Sequence, residues 1–325
     1  MALDGIVISS LVKEFNETLT GGKIAKIAQP ENDELLLTIK NFRNQYRLLI
    51  SAGASLPLIY LTGDNKPSPM TAPNFCMLLR KHIANGKILR IWQPGLERII
   101  HFEIEHLNDL GDLCHKVLTV EIMGKHSNII FCDDNNKIID SIKHVGIQMS
   151  SVREVLPGRE YFIPHTQDKE NPLTITEERF RETVLTKPLP LSKALYMTLT
   201  GISPLIAEEI CHRASLESDQ SANSFSDTEA THLYHTFSRL MEDVKNGNFT
   251  PTVVYDGREP LEFSALPLTL YQDKRVETFE SISAVLENYY AMKNTITRIR
   301  QRSSDLRRIV NTALERNRKK YELQL

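Results

Sequence analysis

The sequence predicts an α+β protein in which an antiparallel sheet, an all-helical unit and the first arm of a long coiled coil follow one another. Three observations carry this. Over the first half, short apolar or alternating runs are separated by Asn, Asp, Gly and Pro clusters, the pattern of an antiparallel meander. From about residue 174 the apolar spacing becomes helical, and from Ile282 it becomes heptad. The predicted units are residues 1–173, 174–249 and 281–325, with 250–280 expected to return to the first domain's sheet.

Taken in order, Ile8, Leu11, Val12, Phe15 and Leu19 recur at three- and four-residue steps and meet Gly21-Gly22, so a helix opens the chain. KIAKIAQ, ELLLTIK, YRLLIS and LPLIYL read as strands. In PNFCMLLRKHIANG, Phe75, Leu78, Leu79 and Ile83 mark a second helix, with Pro73 in its first turn and Gly86 as its stop. Arg80, Lys81 and His82 fall on its exposed side. Two strand-like runs then flank Gln93-Pro94-Gly95, which places Glu97 and Arg98 at the mouth of a hairpin. A third run breaks at Gly124, leaving Lys125, His126 and Asn128 where backbone amides can approach a ligand closely.

Past the polar HTQDKENP, Thr174 with Glu177 offers a helix start. LTGISPLIAEEICHRA reads as two helices joined at Gly201, with Ser203 and Pro204 opening the second. Its free amides could bind a phosphate, or the pair could be a purely structural hairpin. Glu217–Glu229 is a polar loop, a helix covers about 229–246, and Asp256-Gly257 turns a hairpin. From Lys293 to Lys320 ten cations, among them Arg298, Arg300, Arg302, Arg307 and Arg308, face only Asp305 and Glu315. A solvated coiled coil normally mixes its charges, so phosphate contact is the favoured reading.

Composition bounds the function. A net charge of −2 and a pI near 6.6 exclude a uniformly basic nucleic-acid coat, so any RNA or DNA contact must come from local patches. Cys76, Cys114, Cys132 and Cys211 form no C-x-x-C pair, which fits free thiols in a reducing cytoplasm. The opening MALDGIVISSLVKEF has no basic n-region, and no stretch approaches the roughly 20 apolar residues of a membrane span. Catalytic signatures such as G-x-S-x-G, the phosphate-binding glycine loop and H-E-x-x-H are missing. His82, His101, His106, His115 and His126 show no paired ligand spacing, so neither a metal nor another cofactor is expected. Glu97-Arg98 stays open between a surface ion pair of little worth and a pair in which Arg98 grips a phosphate or base edge while Glu97 accepts from a base amine.

FCMLLRKHI, GLERIIHF, EIMGKHSNII and VLPGREY, in that order, with MALDG before them and a coiled-coil onset after, resemble the motifs of the NFACT family of ribosome quality-control proteins. The resemblance covers the whole chain. It implies an antiparallel NFACT-N domain, a helix-hairpin-helix domain, and a coiled coil whose returning arm and further small domain lie beyond Leu325. It also implies binding to a large (50S) ribosomal subunit obstructed by peptidyl-tRNA, and recruitment of alanyl-tRNA for untemplated alanine tailing. The family's Asp-Arg pair is matched by Glu97 and Arg98, one methylene longer at the acid, and an N-terminal aspartate by Asp4. By the same resemblance these residues engage tRNA, as do Glu121 and Met123. Arg80, Lys81, Lys125 and His126 are expected to join Arg98 in one basic surface, Gly201 and Ser203 are phosphate candidates, and the coiled-coil arginines are expected on 23S rRNA. No catalytic group is expected, because peptide bond formation would belong to the ribosome.

Two other classes compete. The sheet-then-hairpin order looks like the formamidopyrimidine-glycosylase arrangement, a DNA-binding enzyme, but those enzymes use an N-terminal proline where this chain has Met1-Ala2. A fibronectin-binding surface adhesin is the second, and it needs an export route the sequence does not show.

Overall fold

The structure, a computed structural model, describes residues 3–165 and 167–323; Met1 and Ala2, on which the glycosylase comparison turns, lie outside them. The chain opens with α1 (Gly5–Thr18) and four strands, β1 (Lys23–Ala28), β2 (Glu34–Asn41), β3 (Asn44–Ser51) and β4 (Leu58–Thr62). After α2 (Asn74–Ile83) come β5 (Lys87–Trp92), β6 (Ile99–Leu107), β7 (Leu113–Glu121), β8 (Asn128–Asp133) and β9 (Ile138–Ser141). Among the described residues these strands make one antiparallel sheet of nine, in the order β4-β3-β2-β1-β5-β6-β7-β8-β9. Local hairpins account for most neighbours; β1 and β5 meet at the centre, where Lys23 faces Lys87.

One face of the sheet carries Ile24, Leu37, Ile39, Leu48, Ile50, Phe102, Leu118 and Phe131 into a continuous core, covered by Leu11 and Phe15 of α1 and Leu79 and Ile83 of α2. Alternation along each strand puts these residues on one side, so a one-residue slip would expose all of them. The other face keeps two small clusters, Ala28, Leu36 and Leu49 at one end and Ile130, Cys132, Ile138 and Val155 at the other. α2 ends at Ile83 through Asn85, whose φ is 61°, and not through Gly86. Gly86 serves packing instead, since an added Cβ would fall 2.7 Å from the Ile104 Cγ2.

The helical unit is α3 (Glu177–Thr183), α4 (Leu191–Thr198), α5 (Pro204–Arg213) and α6 (Asp227–Lys245). Thr176, not Thr174, caps α3, accepting from the Arg179 amide at 3.2 Å. The 217–229 stretch is more ordered than its polarity suggests. Ala222 is buried in a short 3-10 turn, and Ser226 and Glu229 exchange the two hydrogen bonds of a capping box that starts α6. Phe180, Leu195, Ile206, Phe237 and Leu240 of this unit belong to the same core as the sheet.

β10 (Thr252–Asp256), β11 (Glu259–Ser264) and β12 (Arg275–Thr278) follow. Among the described residues they do not rejoin the large sheet. They form a separate sheet ordered β11-β10-β12, with Gly257 at a φ of 61° in the expected turn. Last comes α7 (Ile282–Glu322), a continuous helix of 41 residues, roughly 60 Å long at 1.5 Å per residue. Its base is fixed: Glu14 of α1 accepts from the Ser283 amide and hydroxyl, and the Leu61 amide donates to Ser283 Oγ at 2.9 Å. Ile282, Val285 and Leu286 are buried there, whereas Ile299, Leu306 and Val310 further along the heptad seam are more than half exposed. Arg298, Arg302, Arg307 and Arg308 lie on this exposed length, and Arg300 reaches back to Glu259 at 2.7 Å.

Candidate nucleic-acid interface

The site is built from the β5–β6 turn. Gly95 takes a φ of 54° and the Glu97 amide closes the turn on the Pro94 carbonyl at 3.0 Å. Gln93 Nε2 then donates to the Glu97 and Gly5 carbonyls at 2.8 and 2.9 Å. Because Glu97 and Arg98 sit in this turn and not in a strand, they avoid the strand rule that sends neighbours to opposite faces. Both line one cleft of about 720 Å³, together with Met123, Lys125 and His126 from the β7–β8 turn.

Three backbone segments meet behind them. The Gly5 amide donates to the Gly201 carbonyl at 3.0 Å, and the buried Leu96 carbonyl packs against both glycines. Asp4, buried at the start of α1, accepts from the Ile6 and Val7 amides at 3.0 and 2.9 Å and from the Ser203 hydroxyl at 2.7 Å. These contacts revise two expectations. Ser203 caps α5 as expected, but its hydroxyl, accepting from the Ile206 amide and donating to Asp4, takes up that amide, which is therefore not free for a phosphate. Asp4 likewise does not line the cleft; it acts on Arg98 through its field.

Glu121 also differs from expectation. It is fully buried at the end of β7, paired with Arg153 and accepting from the Tyr161 hydroxyl at 2.9 Å, so it has no surface to give a ligand. Met123, two residues on, does line the cleft. Arg80 and Lys81 are not brought to it. Register places Lys87, just after α2, opposite Glu105, and His82 packs against His106. His106 stands seven residues along β6 from the mouth at Ile99, roughly 24 Å at strand rise. Arg80 spends its Nε on the Ile27 carbonyl at 2.9 Å.

The cleft is nonetheless basic. Arg98, Lys125, Lys143 and Lys169 line it against the one lining carboxylate, Glu97, while Arg153, also in the lining, is balanced by Glu121 behind it. Lys143, Arg153, His165 and Lys169 were not legible as site residues. Lys169 and His165 belong to a stretch that reads as a polar linker, and nothing in their spacing signals that they return to the hairpin mouth. Burial raises the Glu97 carboxyl, with His165, Arg98 and Lys169 pulling it back. Burial lowers the Arg98 guanidinium, opposed by Asp4 and Glu97. It lowers the Lys169 ammonium too, and Arg98 adds to that. The folded chain thus holds two cations against each other in a partly dry cleft, a field suited to a polyanion.

Burial pushes the Asp4 carboxyl up to about 6, against hydrogen bonds that favour its ionised form. A raised folded value means that the native state binds the proton more tightly than the unfolded chain. Stability from this group is therefore full below about pH 4, declines as pH rises to about 6, and is flat above. Asp4→Asn keeps a good helix cap and cannot ionise, so it should remove on the order of 2–3 kcal/mol of that decline. Glu14, raised by burial in the same sense, leaves a residual slope. Urea titrations across pH 4–7 check this; equal slopes in variant and parent would contradict it.

Among the described residues no group of three or more His, Cys, Asp or Glu is placed to hold a metal ion, and no helix is long and apolar enough to cross a membrane.

Fold and cleft define a class: an α+β scaffold in which the β5–β6 and β7–β8 turns, the irregular segment 143–165 and the link between α4 and α5 together line a cationic cleft. The chain belongs to the NFACT family, whose profile, described as NFACT N-terminal and middle domains, matches residues 4–324. It is 36% identical over 324 residues to the Rqc2 homolog RqcH of Bacillus subtilis, covering 99% of this chain and 54% of that protein. The archaeal Rqc2 homolog aRqcH of Methanocaldococcus jannaschii is 26% identical over 295 residues, 89% of this chain and 42% of that one. The chain thus spans about half the length of the curated relatives it matches. Among solved structures, the fibrinogen-binding protein from Staphylococcus aureus aligns with a TM-score of 0.74 at 30% identity, over 89% of this chain and 99% of that one. The N-terminal part of the fibronectin/fibrinogen-binding protein of Streptococcus suis aligns at 0.73, also at 30% identity, over 89% and 98%.

Proposed function

We propose that this protein is a ribosome quality-control factor that binds RNA without catalysing a reaction. It engages a large (50S) ribosomal subunit obstructed by peptidyl-tRNA and recruits a charged tRNA, alanyl-tRNA, for untemplated alanine tailing of the stalled chain, which marks that chain for degradation. The observation that carries this is the cleft, which Glu97 and Arg98 line together with Lys125, Lys143 and Lys169. The family membership and the name of the Bacillus subtilis relative support it. In this reading Arg98, Lys125 and Lys169 hold phosphates, Glu97 accepts from a base amine or ribose hydroxyl, and the ribosome supplies the peptide-bond chemistry. The arginines of α7, Arg298, Arg302, Arg307 and Arg308, lie along 23S rRNA.

Phosphate contacts give a direct test. Three to four neutralised phosphates should make log affinity for tRNA fall against log salt with a slope of roughly −2 to −4. A slope near zero between low and physiological salt would remove the phosphate contacts from the account. A second reading is favoured by what the Staphylococcus aureus and Streptococcus suis structures are named for, fibrinogen and fibronectin binding. Titration with fibronectin in place of tRNA separates the two.

A further inference from the structure

The fully buried Glu121 has a carboxylate that no ligand can reach, yet it stands at the cleft's edge. Its position follows from register: Glu121 pairs with Ile99 across β6–β7 and with Asn128 across β7–β8, so it ends β7 beside the turn that carries Arg98. One oxygen takes Arg153 and the other takes the Tyr161 hydroxyl at 2.9 Å. Arg153 also donates to the Phe162 carbonyl at 2.6 Å, and its guanidinium lies 5.5 Å from the centre of the Tyr161 ring.

Arg153, Tyr161 and Phe162 belong to the irregular segment 143–165, which lines the cleft through Lys143, Val145, Met149, Val152 and Ile163. Backbone bonds tie the far end of this wall to the β8–β9 hairpin: the Gly158 amide donates to the Ile138 carbonyl and the Ile138 amide to the Arg159 carbonyl, both at 2.8 Å, and the Tyr161 amide donates to the Asn136 carbonyl at 2.7 Å. Val145 and Val155 bridge each other, and Asn128 exchanges hydrogen bonds with the Lys143 backbone at 2.9 and 3.1 Å. Val155 and Tyr161 also rest on Ile130, Cys132 and Ile138. Between these ties Ile147, Met149 and Val152 are exposed, and Met149 and Val152 face the cleft. The buried charged tie between wall and sheet is the group around Glu121; Lys143 Nζ also donates to the Ala52 carbonyl beyond β3, and His144 meets Asp140 of β9 at 2.6 Å on the surface. A buried carboxylate with two charge-assisted or hydroxyl partners keeps a fixed geometry, since losing either partner leaves it under-satisfied in a dry site.

We propose that Arg153 is a positioning residue of the cleft, clamping segment 143–165 to the end of β7 through Glu121 and Tyr161 so that Lys143 and the wall it leads stand at a fixed distance from Glu97 and Arg98. This rests on the RNA reading of the cleft. It also assigns Glu121 to the clamp and not to the ligand.

The test is a double-mutant cycle on the full protein with Glu121→Gln, Arg153→Met and the pair, read by tRNA affinity at one salt concentration and by amide hydrogen exchange of the free protein. Each single change should weaken tRNA binding roughly tenfold or more, the scale on which supporting residues act at other sites. The pair should lose no more than the worse single, because both act through one contact. Exchange should accelerate across 143–165 and stay unchanged in β5 and β6. Tyr161→Phe, which removes only a hydroxyl, guards against variants that fail to fold and should show the same exchange pattern with a smaller affinity loss. Multiplying losses, or lost affinity with unchanged exchange, would make Arg153 an RNA contact and overturn the proposal. Faster exchange with unchanged affinity would overturn it too. If the parent protein binds no tRNA, the RNA reading fails first, while exchange in the free protein still decides whether the clamp exists.

Discussion

Replacing Glu97 and Arg98 together by alanine is expected to lower tRNA affinity by about 100-fold while leaving the melting temperature within a few degrees. The size follows from two charge-assisted contacts at roughly 1.5 kcal/mol each, and 1.4 kcal/mol is a factor of ten. Stability should change little because the turn is held by Gln93 Nε2 on the Glu97 and Gly5 carbonyls, by the Glu97 amide on the Pro94 carbonyl and by buried Leu96, all of which an alanine at 97 keeps. The single changes sort the roles. Arg98→Lys keeps charge but loses the bidentate fork, so a partial loss is expected; Glu97→Asp shortens the acid to the family's usual length and should bind at least as well as the parent. Binding titrations with each variant check this, and full affinity in the double alanine form would place the tRNA elsewhere.

Gly201→Val is expected to cost about 4 kcal/mol or more, and to lose tRNA binding with it. Gly201 has a φ of 75°, where a branched side chain is strained, and an added Cβ would fall 2.7 Å from the Leu96 Cβ and closer still to its carbonyl oxygen. The neighbour cannot yield, because Leu96 is buried and Gly5 and Gly201 are themselves hydrogen-bonded. Gly5→Ala meets the same carbonyl and should behave alike. Gly21→Ala is the control: its φ is 87°, but nothing lies within 4 Å of an added Cβ, so only about 1 kcal/mol of backbone strain is expected. Thermal unfolding of the three variants separates crowding from strain, and equal losses at Gly21 and Gly201 would contradict the packing argument.

Much of the fold was legible because it is local. α1, the turns at Gly95 and Gly257, the break at Gly124 and the long last helix all follow from spacing and turn residues within a dozen positions. The failures are non-local. The 250–280 strands alternate like any others, and nothing in them says whether they pair with each other or with β4 at the distant sheet edge. The candidate site divides the same way. Glu97, Arg98, Met123, Lys125 and His126 sit in two turns that adjacent strands bring together, so sequence proximity served as a guide. Lys143, Arg153 and Lys169 come from irregular chain whose path is fixed by tertiary hydrogen bonds. Arg80 and Lys81 misled for a simple reason: near in sequence to Arg98, they lie at the other end of β6. Glu121 misled because strand alternation gives a face but not what later chain will cover it.

We propose that this chain recruits tRNA to the large ribosomal subunit through Glu97 and Arg98. Sequencing of RNA that copurifies with the tagged full-length protein from its own cells, beside the Glu97/Arg98 double alanine form, tests it most directly. The parent should enrich one tRNA family with 23S rRNA, and the variant should lose the tRNA alone, the rRNA being retained through α7. Parent protein that enriches neither RNA, or a variant that keeps the tRNA undiminished, would contradict it.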